Sequence, residues 1–405
     1  MRPLGRVVLA AIALPLVVNG CTSASASGGP WPAAGGTPTT GANAEAPSAV
    51  VSPATQTVAP SPTKAGVPLL LYYIVSPDNP GTGTFWVIGA DGTGQRKIAD
   101  GVEASWSHDG KTIHVVSMDD GCMPTITDVP VNGGSAKKIN ATLQKGDSHF
   151  SWSPDDSQIV FYHWSKWAGF CGWTGWAFTC DDQATPCPNP IQQDLETVAA
   201  GGGSGGPRQL VARLRGPDQL WWAPDGKTVM LDDTAYGEAG PLQRVDLATG
   251  TTTPFSVSKT ARTGTAVSPD STRVAFTTGT GQPETDLEVS RIDGTTNQDF
   301  GAFGANIYEL TWSPDGSQLG ALIVPLDAKG IATAQNLVVF RPPDSTPKTI
   351  YSPIDDTFML LAWSADGTKI ATEKRFGGIV VVGSDGSGVR ELPNTDQASY
   401  VSWQP

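Results

Sequence analysis

From residue 67 onward, apolar and polar positions alternate over short stretches that Gly, Pro, Asp and Ser break every few residues. This is the period of half-buried β-strands joined by tight turns. No helical period of usable length follows the first twenty residues. One phrase recurs within this texture: an aromatic or aliphatic anchor, then a Ser-Pro-Asp-Gly-like turn. The copies are Trp106-Ser-His-Asp-Gly110, Trp152-Ser-Pro-Asp-Asp156, Trp222-Ala-Pro-Asp-Gly226, Val267-Ser-Pro-Asp-Ser271, Trp312-Ser-Pro-Asp-Gly316 and Trp363-Ser-Ala-Asp-Gly367, followed by a truncated Trp403-Gln-Pro405. Successive anchors lie 46, 70, 45, 45, 51 and 40 residues apart. A period of this size marks a radial repeat.

Each unit predicts four strands. The first ends on the anchor. In the turn, Pro presets φ, Asp bonds back to nearby N–H groups and Gly supplies a left-handed exit. Second strands are predicted over residues 112–116, 158–162, 228–231, 273–277, 318–323 and 369–372. Third strands end on turns such as Asp91-Gly92, Thr249-Gly250, Asp293-Gly294 and Asp385-Gly386, and a short fourth strand closes each unit. Four antiparallel strands in such a unit make a propeller blade. Residues 68–99 hold second, third and fourth strands without a first, and residues 399–404 hold a first strand with nothing after it. Joining them predicts an all-β, seven-bladed β-propeller over 67–405, its ring closed by the C-terminal strand on the N-terminal blade. A six-bladed ring with a stray strand is the alternative.

The N-terminus reads as an address. Arg2 and Arg6 precede an apolar run from Val7 to Val18, then Asn19-Gly20-Cys21. Basic flank, short apolar stretch and small residue describe a secretory signal over 1–20, too short to span a bilayer comfortably. Cys21 directly after the small residue resembles the bacterial lipobox, which implies a lipidated, palmitate-type anchor at Cys21. Residues 22–66 are nearly all Ala, Ser, Gly, Thr and Pro, a composition that cannot bury enough apolar area to order itself and predicts a disordered tether. The expected location is the outer face of the cytoplasmic membrane, or a periplasmic-type space.

Charge narrows the partners. The formal net charge is -13, and without Arg2 and Arg6 the chain has 24 Lys+Arg against 39 Asp+Glu. Such a surface repels nucleic acid, so no nucleic-acid partner is expected. Five Cys are present, and beside Cys21 the even set Cys122, Cys171, Cys180 and Cys187 predicts two disulfides in an exported protein. Their spacing is loose for zinc. The expected pairing is Cys122–Cys171 with Cys180–Cys187.

The 70-residue step between Trp152 and Trp222 marks an insertion over 163–190, between the second and third strands of its blade. It carries Trp164, Trp167, Phe170, Trp173, Trp176 and Phe178, with three of the four Cys. Such a loop is a self-packed lid or a binding platform whose exposed aromatics stack on sugars, peptides or apolar ligands. Catalytic signals are sparse. Gly202-Gly-Ser-Gly-Gly206 matches the nucleophile-elbow spacing but lacks its strand–turn–helix setting. His149 and His163 bracket one strand pair and could share a metal with Asp147 or Asp181, though two surface His without a third partner is the ordinary reading. His114 reads as packing, and the repeat Trp residues as core.

The Trp-Ser-Pro-Asp-Gly phrase and the Asp-Gly turn after the third strand resemble the TolB-like propeller family, over 67–405, with departures at Asp156, Val267 and Ser271. The resemblance implies the fold with some force and the activity hardly at all, because the matching residues are turn and core residues. The expectation is a monomeric, envelope-anchored binding or scaffold module for an envelope protein or cell-wall glycan, with no cofactor. The rival is a cell-wall carbohydrate-active enzyme, a metal-dependent lyase or hydrolase on the same scaffold.

Overall fold

The computed structural model describes residues 66–405 apart from 77–81, 120–122, 164–170, 174–177, 181–192, 203–205, 215–218, 233–241, 256–263, 279–285, 294, 296, 303–304, 326–334, 353–357 and 375–376. The signal segment, Cys21 and nearly all of the tether lie outside the described residues. No helix among the described residues is long and apolar enough to cross a membrane.

Seven four-stranded antiparallel sheets form the blades. Counting from the N-terminus, blades 2 to 7 begin with the strands Glu103–Trp106, Asp147–Trp152, Gln219–Trp222, Thr265–Val267, Ala305–Trp312 and Phe358–Trp363. These first strands meet one another between blades 5, 6, 7 and 1, as inner strands around a propeller axis do. Blade 1 takes its inner strand from the chain's end: Ala398–Trp403 pairs with Leu69–Val75, Leu70 opposite Trp403 and Tyr72 opposite Val401. The second strands observed, such as Thr112–Met118, Gln158–His163 and Lys369–Lys374, extend the predicted ones by a residue or two. The extra two-stranded hairpin lies in the insertion of blade 3.

The core is divided among the blade interfaces. Seven separate apolar clusters occupy the seven seams, because both faces of each twisted sheet pack on a neighbour. The closing seam is built like the others: Leu70, Tyr72 and Ile88 of blade 1 pack with Ala371, Ile379 and Val381 of blade 7. Gln404 then clasps the join, its side-chain amide donating to the Gly110 carbonyl at 2.7 Å while its backbone N–H donates to Leu69 O at 2.9 Å.

The anchor tryptophans are core residues, as expected, and they also latch blades together. Trp312 Nε1 donates to Ala266 O at 3.1 Å, Trp363 Nε1 to Thr311 O at 3.1 Å and Trp403 Nε1 to Ala362 O at 2.8 Å. Each bond runs to the preceding blade's inner strand, one residue before that blade's anchor. Trp222 Nε1 reaches Ser151 Oγ in the same register at 3.1 Å. Trp152 instead stacks on His114, ring centroids 3.8 Å apart.

The turn chemistry repeats with little variation. Ser153, Ser268, Ser313 and Ser364 Oγ donate to the Asp two residues on, at 2.7, 2.6, 2.6 and 2.6 Å. Each Oγ also receives the N–H five residues on, locking the turn to the second strand. Two departures from the consensus explain each other. Asp156 adopts the left-handed φ of 54° where four other copies have Gly, and its carboxylate meets His108, which sits in the Pro position of the preceding blade's turn. His108 Nδ1 lies 2.7 Å from Asp156 Oδ1, so the non-consensus pair ties blade 2 to blade 3.

Candidate functional site

In a ring of antiparallel four-stranded blades, the turns joining first to second and third to fourth strands share one face. The connections from second to third strand, and from blade to blade, share the other. The first, or turn face, carries every copy of the repeat phrase. The second, or loop face, carries the insertion and the starts of the inner strands.

Three residues before each anchor, the inner strands place Glu103, His149, Gln219, Gly264, Glu309, Leu360 and Tyr400 in equivalent register. His149 and Glu309 have φ of 56° and 42°, and the ladder registers shift around both. These β-bulges release backbone N–H groups from the ladder. Glu103 of blade 2 takes up those of blade 3: the Phe150 N–H donates to Glu103 Oε1 at 2.8 Å, and His149 N–H also reaches this carboxylate. Burial nevertheless dominates and pushes the Glu103 carboxyl up to about 8, against the lowering effect of those two bonds. Tyr400 of blade 1 lies beside it, its hydroxyl pKa raised by burial and further by the Glu103 charge. His149 is solvent-accessible, yet protein encloses it closely enough that burial lowers its pKa. Tyr400, Glu103 and His149 occupy equivalent inner-strand positions on three consecutive blades.

A second constellation sits at the loop end of blade 3. Asp147 is fully buried, its Oδ1 is 2.7 Å from His163 Nδ1, and its Oδ2 accepts the Gln144 N–H at 2.6 Å. Across the sheet, His163 stands opposite both Asp147 and Asp194, so three strands present an Asp–His–Asp row. Asp194 Oδ2 accepts from Gln209 Nε2 at 2.7 Å. Glu196, on the same face as Asp194, interacts electrostatically with His163, Asp147 and Asp194, and burial raises its pKa. The Asp147 carboxyl is raised too, by burial, against the Gln144 and His163 bonds.

The predicted site residues fall as follows. His163 is held by Asp147, the carboxylate named as its possible co-ligand, whereas Asp181 lies outside the described residues. His149 belongs with Glu103 and Tyr400. No group of three or more His, Cys, Asp or Glu among the described residues is placed to hold one metal ion. His114 is packed, stacked on Trp152 and paired with Asp128 at 2.6 Å. Of the aromatic insertion, Trp173 and Phe178 lie on the hairpin Cys171–Trp173 and Phe178–Cys180, where they pair with each other. Trp164, Trp167, Phe170 and Trp176 lie outside the described residues, as do Cys122 and Cys187. The same hairpin sets Cys171 directly opposite Cys180. Sequence reasoning missed Glu103, Tyr400, Asp194 and Glu196. For the first two, counting three residues back from each anchor would have found them.

No family model matches the chain, and no curated protein matches it. Solved structures do. TolB from Acinetobacter baumannii is 14% identical over 84% of this chain and 69% of its own, with a TM-score of 0.45. The β-propeller domain of the Trilobed protease from Pyrococcus furiosus is 11% identical over 81% of this chain and 95% of its own, with a TM-score of 0.54. An oligogalacturonate lyase in complex with manganese is 15% identical over 80% and 84%, with a TM-score of 0.51. At these identities the likeness is one of fold. The fold they share with this chain is the β-propeller, built here from seven four-stranded blades.

Proposed function

We propose that the chain is an exported, lipid-anchored propeller that binds an envelope protein or a cell-wall glycan through its loop face. The observation that supports this best is the concentration of non-repeating features there. Enclosed polar side chains at the inner edge, the blade 3 carboxylates and the aromatic insertion all share that face, while the turn face carries the repeated phrase. Rigid scaffolds commonly carry recognition on such loops. The Cys21 lipid and the Ala/Ser/Pro/Thr tether would hold the propeller out from the membrane. Of the aromatic residues proposed to contact the partner, Trp173 and Phe178 stand opposite each other in the hairpin register. Two disulfides among Cys122, Cys171, Cys180 and Cys187, paired Cys122–Cys171 and Cys180–Cys187, remain part of this proposal.

Crosslinking and pull-down from the native envelope test the reading, comparing wild type with Trp173→Ala and Trp176→Ala. Loss of a wild-type partner in both variants supports it; an unchanged partner set removes the insertion as the binding surface. The enzyme reading has one observation in its favour, the Asp147–His163 pair, which orients an imidazole as a general base would require. Its test is turnover of cell-wall polysaccharide that His163→Ala abolishes.

A further inference from the structure

The blade 3 cluster has an imbalance of hydrogen-bonding capacity. Asp147, Asp194 and Glu196 are 0%, 7% and 8% exposed. Carboxylates accept and do not donate. Donors already committed to them include the Gln144 N–H and the His163 Nδ1–H on Asp147 and the Gln209 amide on Asp194. Glu196 Oε2 is buried and meets no donor. In the neutral tautomer whose Nδ1–H meets Asp147, His163 presents Nε2 as a second acceptor, on a side chain that retains 18% exposure at the end of its strand. The spare capacity of the cluster is thus acceptor capacity, and its charge is negative.

An unpaired buried carboxylate oxygen is costly, and a charged donor offsets that cost best. The described side chains do not converge tightly enough for a single metal ion to reach three of them. A guanidinium differs from an ion: it is planar, weakly hydrated and spreads five N–H donors in a rigid fork, so it reaches acceptors an ion cannot bridge. We propose that the Asp147–His163–Asp194–Glu196 cluster recognises a guanidinium group, an arginine side chain of the protein partner. This rests on the loop face being the binding face, and it names the chemistry of one anchor point there. Glu196 is the residue that the incoming group pairs with, while Asp147 positions His163.

The probe is N-acetyl-arginine amide, titrated calorimetrically into the mature full chain at neutral pH and low salt. The expected result is saturable binding, reduced about tenfold or more by Glu196→Gln, weaker for the lysine analogue and absent for the uncharged citrulline analogue. Raising salt from low to near-molar concentration should weaken it further, as screening requires. Absence of saturable binding, equal binding by Glu196→Gln, equal binding of citrulline, or displacement by calcium or magnesium at stoichiometric levels would each overturn the proposal. Should Glu196→Gln lose its cooperative melt, Asp194→Asn supplies the same comparison. If the envelope pull-down succeeds while arginine fails, the loop-face reading stands and only the guanidinium assignment falls.

Discussion

The two faces of this propeller use the same acid groups in opposite ways. On the turn face, Asp109 is held down to about 2 by bonds from the Lys111 side chain and backbone and from Ser107. Asp155 is held to about 2 by Ser153 and Ser157. Asp315 and Asp366 are lowered likewise, chiefly by Ser313 and Ser364. These carboxylates stay ionised because each completes a turn. On the loop face, Glu103 and Glu373 are pushed up to about 8, and Asp147 and Glu196 are raised, all principally by burial. Glu373 is 3% exposed, and its Oε2, like that of Glu196, meets no donor. One face spends its charge on the fold. The other keeps charge in reserve, which is the pattern of recognition sites.

The largest effect that could break this contrast concerns the ring itself. A chain ending at residue 397 lacks the inner strand of blade 1 and the Gln404 clasp, and is expected to show no cooperative thermal transition by circular dichroism. Trp363→Ala, which empties a core position and removes a latch, should cost about 3–5 kcal/mol in denaturant unfolding. Trp312→Phe, which keeps a ring but leaves Ala266 O without its donor, should cost about 1 kcal/mol.

Smaller substitutions sharpen the comparison. Ser271 sits at φ 56° in a turn where Gly is the consensus, with its hydroxyl buried and unpartnered. Ser271→Gly should therefore stabilise by about 0.5–1 kcal/mol, the relief of left-handed strain outweighing glycine's entropy. Asp156 has the same backbone strain but holds His108, so Asp156→Ala should destabilise instead.

The pH dependence separates the faces as well. Glu103 and Glu373 have folded pKa values above their unfolded ones. Their stabilising contribution is complete below the unfolded value near 4.5 and is lost as pH rises through about 8. The turn aspartates behave oppositely: their contribution is present above 3.8 and lost as pH falls through about 2. Melting temperature should thus peak in mild acid, and Glu373→Gln should flatten the alkaline limb while leaving the acid limb unchanged.

Repetition decided what could be read from the chain. The anchor and turn recur because most seams use the same Trp and most turns the same Ser–Asp geometry, so seven blades and the closing strand were legible in the chain alone. Departures from the phrase were visible but not interpretable: His108 and Asp156 lie in different blades, and only the fold brings them together. The inner-strand residues Glu103, His149 and Tyr400 share a register, yet each blade fills it with a different residue, which hides it from a search for similarity. Asp147, Asp194 and Glu196 come from strands on either side of the insertion. Cross-strand register, which spacing along the chain does not encode, unites them with His163.

The central claim is that recognition belongs to the loop face. It is tested most directly by one quantitative crosslinking experiment in the native envelope, comparing wild type with the loop-face variant Trp173→Ala and the turn-face variant Lys111→Ala. The account predicts that the partner captured by wild type disappears with Trp173→Ala and is retained at wild-type yield with Lys111→Ala. Retention in the first and loss in the second would contradict it.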